Sequence, residues 1–376
     1  MITHPATWDT DVALMARPAY RVTAYSPANR FGAPLDVPVV DGWVLKDATQ
    51  YPRTHVSVTM GSTSLLPTAI DRNLTPFGGW LKVEAGYTDT AGTSTYVTIA
   101  DGPITRVAAN RPGGQLVIES ADVSVLQAQR VTPTDQTWDS VTYPGAYNMA
   151  QGLATNFLDP SGANITGTNG VDYTTWTAAM TSVPVPTGYV WKAGTTAWSA
   201  VEYLSDLCGA ETYGDAQRKI IMRPVPTIGV PVATLATGEG GTITAIESVL
   251  QRTYNVVYLA YASGIVGTWQ AAVPYSGDTF DPIYYGKFCL YESRDGTPTQ
   301  QQANDAARAY AYRVKGTGRT TTIRAVPMPW LEPGDTIQVD PDGAPTEQHL
   351  LQSITIPLTL DVMTVTTRNP PYTGTL

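Results

Sequence analysis

Residues 323–339 read Ile323-Arg324-Ala325-Val326-Pro327-Met328-Pro329-Trp330-Leu331-Glu332-Pro333-Gly334-Asp335-Thr336-Ile337-Gln338-Val339: a strand, a proline-punctuated turn and a second strand. Pro333 pre-sets the first turn position and Gly334 supplies positive φ. Asp335 is placed to accept backbone hydrogen bonds before the next strand starts. Strands are predicted at Arg319–Ala325, Thr336–Val339 and within Leu350–Arg368, an antiparallel set. Upstream, a helix is predicted from about Thr299 to Lys315, ending at Gly316. Its inward face is small: Ala303, Ala306, Ala307, Tyr310 and Ala311. Small residues permit close backbone approach, so this face is expected to be a packing or inter-subunit seam.

The rest of the chain has the same β bias. Its 376 residues include 21 Tyr and 9 Trp, and 29 Pro and 33 Gly punctuate short segments. Aromatic and β-branched residues bounded by turn formers favour strands. His55–Met60, Leu81–Ala85, Tyr96–Ala100, Ile104–Val107 and Gln115–Ser120 read as successive strands of a small barrel or sandwich ending near Gln129.

Residues 130–195 differ, being rich in Thr, Pro, Gly and Asn with isolated aromatics. Trp138, Tyr143, Tyr147, Tyr173, Trp176, Tyr189 and Trp191 are candidates for an interface, since aromatics are enriched there. The alternatives are packing under long loops and stacking on sugars. Thr196 is a candidate cap for a helix in which Trp198, Val201, Leu204 and Leu207 or Cys208 recur at helical spacing, closed by Gly209. A strand from Lys219 to Arg223 follows, so this middle segment is α+β. The most apolar stretch, Tyr254–Tyr275, is broken by Asn255, Ser263, Gly264, Gly267, Thr268 and Gln270. A membrane span needs roughly 20 continuous apolar residues, so two buried strands are expected and no integral membrane segment.

Net charge is −9, with no basic stripe, which argues against direct nucleic-acid recognition. The start of the chain lacks the basic and apolar pattern of a signal peptide. Cys208 and Cys289 are too few for a disulfide framework, and both are expected to be buried structural thiols.

The residues carry little sign of chemistry. His4, His55 and His349 have no ligand at metal-binding spacing, and there is no His-Glu-x-x-His, Cys-x-x-Cys or Walker-type pattern. A Cys–His pairing of Cys208 or Cys289 with His55 or His349 is open by spacing. Carboxylate pairs such as Glu202 with Asp206, or Asp278 with Asp281, read as a solvated helix face and a turn. Gly238–Thr242 lacks the lysine of a phosphate loop and reads as a turn or linker. Asp340-Pro341-Asp342-Gly343 reads as a tight turn, not a calcium loop. No catalytic residue, cofactor or metal is therefore expected.

The order of elements from the helix at 299–315, through Leu331-Glu332-Pro333-Gly334-Asp335, to Ile354-Thr355-Ile356-Pro357-Leu358 and Met363–Arg368 resembles the tail-tip hub proteins of siphophages. That group is related to the central baseplate hub of contractile-tailed phages. Trp198–Cys208, with the following Arg223-Pro224-Val225-Pro226, is similar to the family's middle domain more loosely. The resemblance implies a mainly β fold with a smaller α+β part, in which two β-barrel-like domains flank a mixed middle domain. The division would be 1–129, 130–228 and 229–376. It also implies a non-enzymatic homotrimer in the virion tail tip, assembled in the host cytoplasm. Its partners would be the distal tail protein, other tail-tip proteins and the tape-measure protein in the lumen. A receptor- or carbohydrate-binding tail protein and a cell-wall hydrolase are the alternative readings.

Overall fold

The computed structural model describes residues 17–26, 33–67, 73–76, 78–110, 114–129, 134–137, 190–238, 240–250, 254–270, 286–294, 298–314, 319–343 and 345–368, with Ile2, Thr3, Pro5, Trp8, Val131 and Gly145 besides. The chain opens with β1 (Arg17–Tyr25), β2 (Leu35–Asp36), β3 (Asp41–Asp47), β4 (Thr54–Met60), β5 (Trp80–Thr88), β6 (Ser94–Asn110) and β7 (Gln115–Ala121). A short helix α1 (Ser124–Ala128) leads to β8 (Gln136–Thr137), β9 (Val190–Trp191), helix α2 (Ala197–Leu207), β10 (Ala210–Gly214) and β11 (Ile220–Pro224). The remainder comprises β12 (Ala233–Ala236), β13 (Ile243–Leu250), β14 (Val256–Tyr261), β15 (Val266–Gln270), β16 (Cys289–Arg294), helix α3 (Gln300–Val314), β17 (Arg319–Ala325), β18 (Thr336–Asp340), β19 (Glu347–Pro357) and β20 (Met363–Arg368).

The architecture is mainly β, as expected, and one 13-stranded sheet dominates it. Its order is β13-β17-β20-β19-β3-β4-β7-β6-β5-β1-β2, with β18 on β19 and β12 parallel to β18. The two ends of the chain therefore meet in one sheet, joined where β19 runs antiparallel to β3 with Thr355 opposite Leu45 and Ile356 opposite Val44. Period-two patterning makes these strands: in β4, Val56, Val58 and Met60 point inward while His55, Ser57 and Thr59 are half-exposed. One continuous core lies under the sheet, containing Val44, Val58, Ile118, Ile323, Ile354 and Val365 alike. Trp8, Tyr87 and Trp330 form its aromatic centre, with ring centroids 5.4 Å, 5.7 Å and 6.4 Å apart.

A second core gathers α2, β10, β11 and α3 with the three-stranded sheet β15-β14-β16. Val257, Leu259, Tyr261 and the alanines of α3, expected with the C-terminal barrel, thus pack with Trp198, Leu204, Ile220 and Met222 from before the expected boundary at 228–229. Helix α2 forms as read: Thr196 Oγ1 accepts from the Ser199 amide at 3.1 Å, and Gly209 closes it with φ +64°. One expectation is corrected. Tyr96–Ala100 and Ile104–Val107 are not separate strands but halves of the 17-residue β6. Pro103 does not break it, because it sits at the last pair of the β5–β6 ladder, opposite Trp80, where a missing N–H costs little. A bulge between Ile104 and Arg106 then turns the strand onto β7.

The great sheet contains an internal repeat. In the first half, the strands in chain order β3, β4, β6, β7 lie in space as first, second, fourth, third. In the second half β13, β17, β19, β20 lie in the same order. The correspondence reaches single residues. The bulge at Ile104/Arg106 in β6 matches the one at Leu351/Ser353 in β19. Following the ladders from there, Ala108 corresponds to Thr355, Ala109 to Ile356, Leu45 to Val249 and Val44 to Ser248.

Candidate functional site: the junction around the Leu331–Asp335 turn

The residues that the sequence singled out most sharply sit where the two cores meet. Leu331 is buried, and the turn is closed by hydrogen bonds from the Gly334 amide to the Leu351 carbonyl and from the Leu351 amide to the Asp335 carbonyl, both 2.8 Å. The Glu332 amide donates to Asp335 Oδ2 at 3.0 Å, the local capping expected of Asp335. Gly334 has φ +91°, and a Cβ there would lie 2.3 Å from Arg223 Nη2. Conformation and space both demand glycine.

The carbonyl of Pro333 accepts from two guanidinium groups, Arg53 Nη2 and Arg223 Nη2, the latter at 2.9 Å. Both cations also reach Glu211 on β10: Arg53 Nη1 at 3.2 Å and Arg223 Nη2 at 2.8 Å. They stack on the Tyr213 ring, with guanidinium carbons 3.8 Å and 5.0 Å from its centroid. Three segments distant in sequence are thereby tied: the β3–β4 loop, the β10–β11 hairpin and the turn. Arg53 and Glu211 are only 6% and 5% exposed, so this is a buried pair with its lone pairs satisfied, the arrangement that makes burying charge tolerable.

Lys46 Nζ lies 3.7 Å from Glu332 Oε1 beside this cluster. Burial works against ionisation of Glu332, yet the positive charges around it, Lys46 foremost and Arg53 among the others, overcome it and hold its carboxyl at about 2. Burial instead pushes the Asp335 and Asp215 carboxyls up and the Lys46 ammonium down. No local pattern marks Arg53 or Glu211 in the sequence. Only Arg223, in its Arg-Pro-x-Pro run, was visible, and Pro226 of that run packs beneath Gly334.

The other singled-out residues fall elsewhere. Ala303, Ala306, Ala307 and Ala311 are buried and Tyr310 is partly buried, all in the second core of the same chain. The close approach is real: a Cβ on Gly267 of β15 would meet the Ala303 carbonyl oxygen at 2.0 Å. Trp191, one of the candidate interface aromatics, is 3% exposed and packs edge-on against Tyr203 at 5.7 Å within that core. Trp138, Tyr143, Tyr147, Tyr173, Trp176 and Tyr189 lie outside the described residues, as do Asp278 and Asp281.

Few of these groups are poised for chemistry. Burial pushes the Cys208 thiol up to about 12, while Cys289, expected to be buried, is instead exposed at the start of β16. Both ring nitrogens of His349 are engaged within the sheet, with Thr367 Oγ1 at 3.1 Å and Glu347 Oε2 at 3.0 Å. Asp206 is buried and paired with Arg294 at 3.0 Å. Glu202 lines a cleft of about 320 Å³ with Arg53, Arg294 and the stacked pair Tyr51–Trp198, whose centroids are 4.9 Å apart. Among the described residues, no group of three or more His, Cys, Asp or Glu is placed to hold a metal ion, and no helix is long and apolar enough to cross a membrane.

This arrangement of strands is found in solved phage tail proteins. The tail protein from Neisseria meningitidis MC58 matches with a TM-score of 0.61 at 13% identity, over 93% of this chain and 97% of that one. The tail protein of prophage MuSo2 from Shewanella oneidensis matches with 0.58 at 9% identity, over 94% and 99%. Prophage tail protein gp18 from Listeria monocytogenes EGD-e matches with 0.51 at 8% identity, over 94% and 95%. These likenesses establish a shared fold that extends over nearly the whole of each chain. No protein-family model and no curated protein sequence matches the chain.

Proposed function

We propose that the chain is a structural hub of a phage tail tip that works by geometry, without a catalytic site. Three copies would close a ring at the distal end of the tail tube. One face would meet the sixfold tube through the distal tail protein, the other a threefold tip, and the lumen would hold the tape-measure protein. The hub would be built in the host cytoplasm and remain in the virion.

The observation that carries this reading is the internal repeat. One chain holds two copies of the same four-strand unit, so a homotrimer presents six similar units. A threefold object can then match a sixfold neighbour without a separate adaptor. The tail-protein fold supports the setting, and the tightly packed seam of α3 supplies rigidity. The experiment is mass by light scattering on the purified chain, alone and mixed with the candidate distal tail protein. A trimer under either condition is expected; a monomer under both would sink the ring.

A further inference from the structure

The cleft of about 320 Å³ lies where the β3–β4 loop meets α2, β10, β16 and α3. Its size is at the small end of ligand pockets, roughly 300–1,000 Å³. One wall is aromatic: Tyr51 stacks on Trp198 with ring planes 25° apart, and is itself 39% exposed. The Tyr213 and Tyr310 rings in the lining already carry guanidinium groups, Arg53 at 3.8 Å and Arg294 at 5.0 Å. Among the described residues no cation sits on the Tyr51–Trp198 pair, so that pair is the aromatic surface left for a ligand.

The charges around the cleft are already matched. Arg53 holds Glu211 at 3.2 Å, and Arg294 holds Asp206 at 3.0 Å and Glu292 at 3.1 Å. An anion would have to take these arginines from their carboxylates, and a cation the carboxylates from their arginines. Either strips a largely buried charge of its partner, which is costly. A neutral ligand leaves every pair whole. Two donors in the lining remain unanswered: Arg294 Nε and Trp198 Nε1 are buried without a hydrogen-bond partner among the described residues. An unpaired buried donor is unfavourable, so the ligand that fits carries acceptor oxygens.

We propose that this cleft binds a neutral saccharide of one or two rings, laid with a C–H face against the Tyr51–Trp198 pair. The C–H bonds on one face of a pyranose are slightly positive and meet the negative face of an aromatic ring. Each hydroxyl both donates and accepts, so the sugar answers arginine and carboxylate groups alike while bringing no net charge. It would touch the β3–β4 loop of the sheet and the helical unit at once. Sugar binding is a role separate from the ring proposed above and does not depend on it.

The test titrates the full chain with the methyl glycosides of glucose, galactose, mannose, rhamnose and N-acetylglucosamine, and with cellobiose, lactose and chitobiose. Saturation-transfer NMR reads contact with the ring C–H protons. At least one neutral sugar is expected to bind with a dissociation constant of about 1 mM, which is what ligands of that size achieve. Tyr51→Ala should weaken it about tenfold through loss of the stacking face, whereas Tyr51→Phe should retain it. Tyr291→Ala, at a 65% exposed aromatic on β16 that does not line the cleft, should change nothing. Glu292→Ala removes an acceptor from a partly exposed position and gives a second reading if Tyr51→Ala fails to fold; severalfold weakening is expected. No binding of any neutral sugar up to about 10 mM, ten times the expected constant, would overturn the proposal, as would binding that survives both Tyr51→Ala and Glu292→Ala. Tighter binding of glucuronate or glucosamine than of the neutral parent sugar would overturn the choice of an uncharged ligand. Light scattering decides the ring separately, so the two readings fail independently.

Discussion

The two halves of the great sheet have one topology and two environments. β3 is flanked by β4 and β19, and its Val44 is fully buried. β13, in the corresponding position, has a strand on one side only among the described residues, and Ser248 stands where the other half has Val44. Equal backbone geometry therefore tolerates opposite side chains, because cover by a neighbouring strand decides whether a position must be apolar. Environment was the variable, and fold the constant.

Paired substitutions at corresponding positions put that contrast at risk. Val44→Lys should destabilise the isolated chain most, by about 3–5 kcal/mol, since it leaves a buried charge unpaired. Ser248→Lys should cost about 1 kcal/mol or less, and equal losses in chemical denaturation would show that the halves do not differ as described. Ile354→Ala is expected to cost about 2–5 kcal/mol by leaving a cavity. Val107→Ala at the corresponding half-exposed site should cost clearly less, and a larger loss at Val107 would reverse the comparison.

The Leu331–Asp335 turn belongs to the second half, and Gly334→Ala measures its contribution. Positive φ and the collision with Arg223 together should cost about 1–3 kcal/mol, readable as a lower denaturation midpoint. The remaining effect appears only in acid. Glu332 is held at about 2 in the folded chain against an ordinary 4.5. Its ionised form thus contributes stability present above about 4.5 and lost as pH falls towards 2. Glu332→Gln should remove that part of the acid limb, and an unchanged slope between those values would show that the surrounding positive charges do not stabilise the carboxylate.

Much of this was legible in the chain itself, and the reasons are local. Thr196 and Gly209 bracket α2 because caps and stops are written in single residues. The alternation of β4 and the alanine face of α3 are likewise short-range patterns. The Pro333-Gly334-Asp335 turn could be read, but not its clamp, since Arg53 and Glu211 are 158 residues apart. The continuity of β6 was hidden because Gly102 and Pro103 look like a break until Trp80 is placed opposite. The repeat was hidden for a deeper reason. Pairs such as Val44 and Ser248, or Ile356 and Ala109, answer to different neighbours and so differ in polarity or in size.

The clamp at Pro333 has a consequence for how the molecule comes apart. Arg53 belongs to the sheet and Arg223 to the helical unit, yet both hold one carbonyl oxygen and one carboxylate. Neither unit can loosen at this point without uncovering charges in the other. Sheet and helices should accordingly melt in a single transition, with circular dichroism and tryptophan fluorescence tracing one curve.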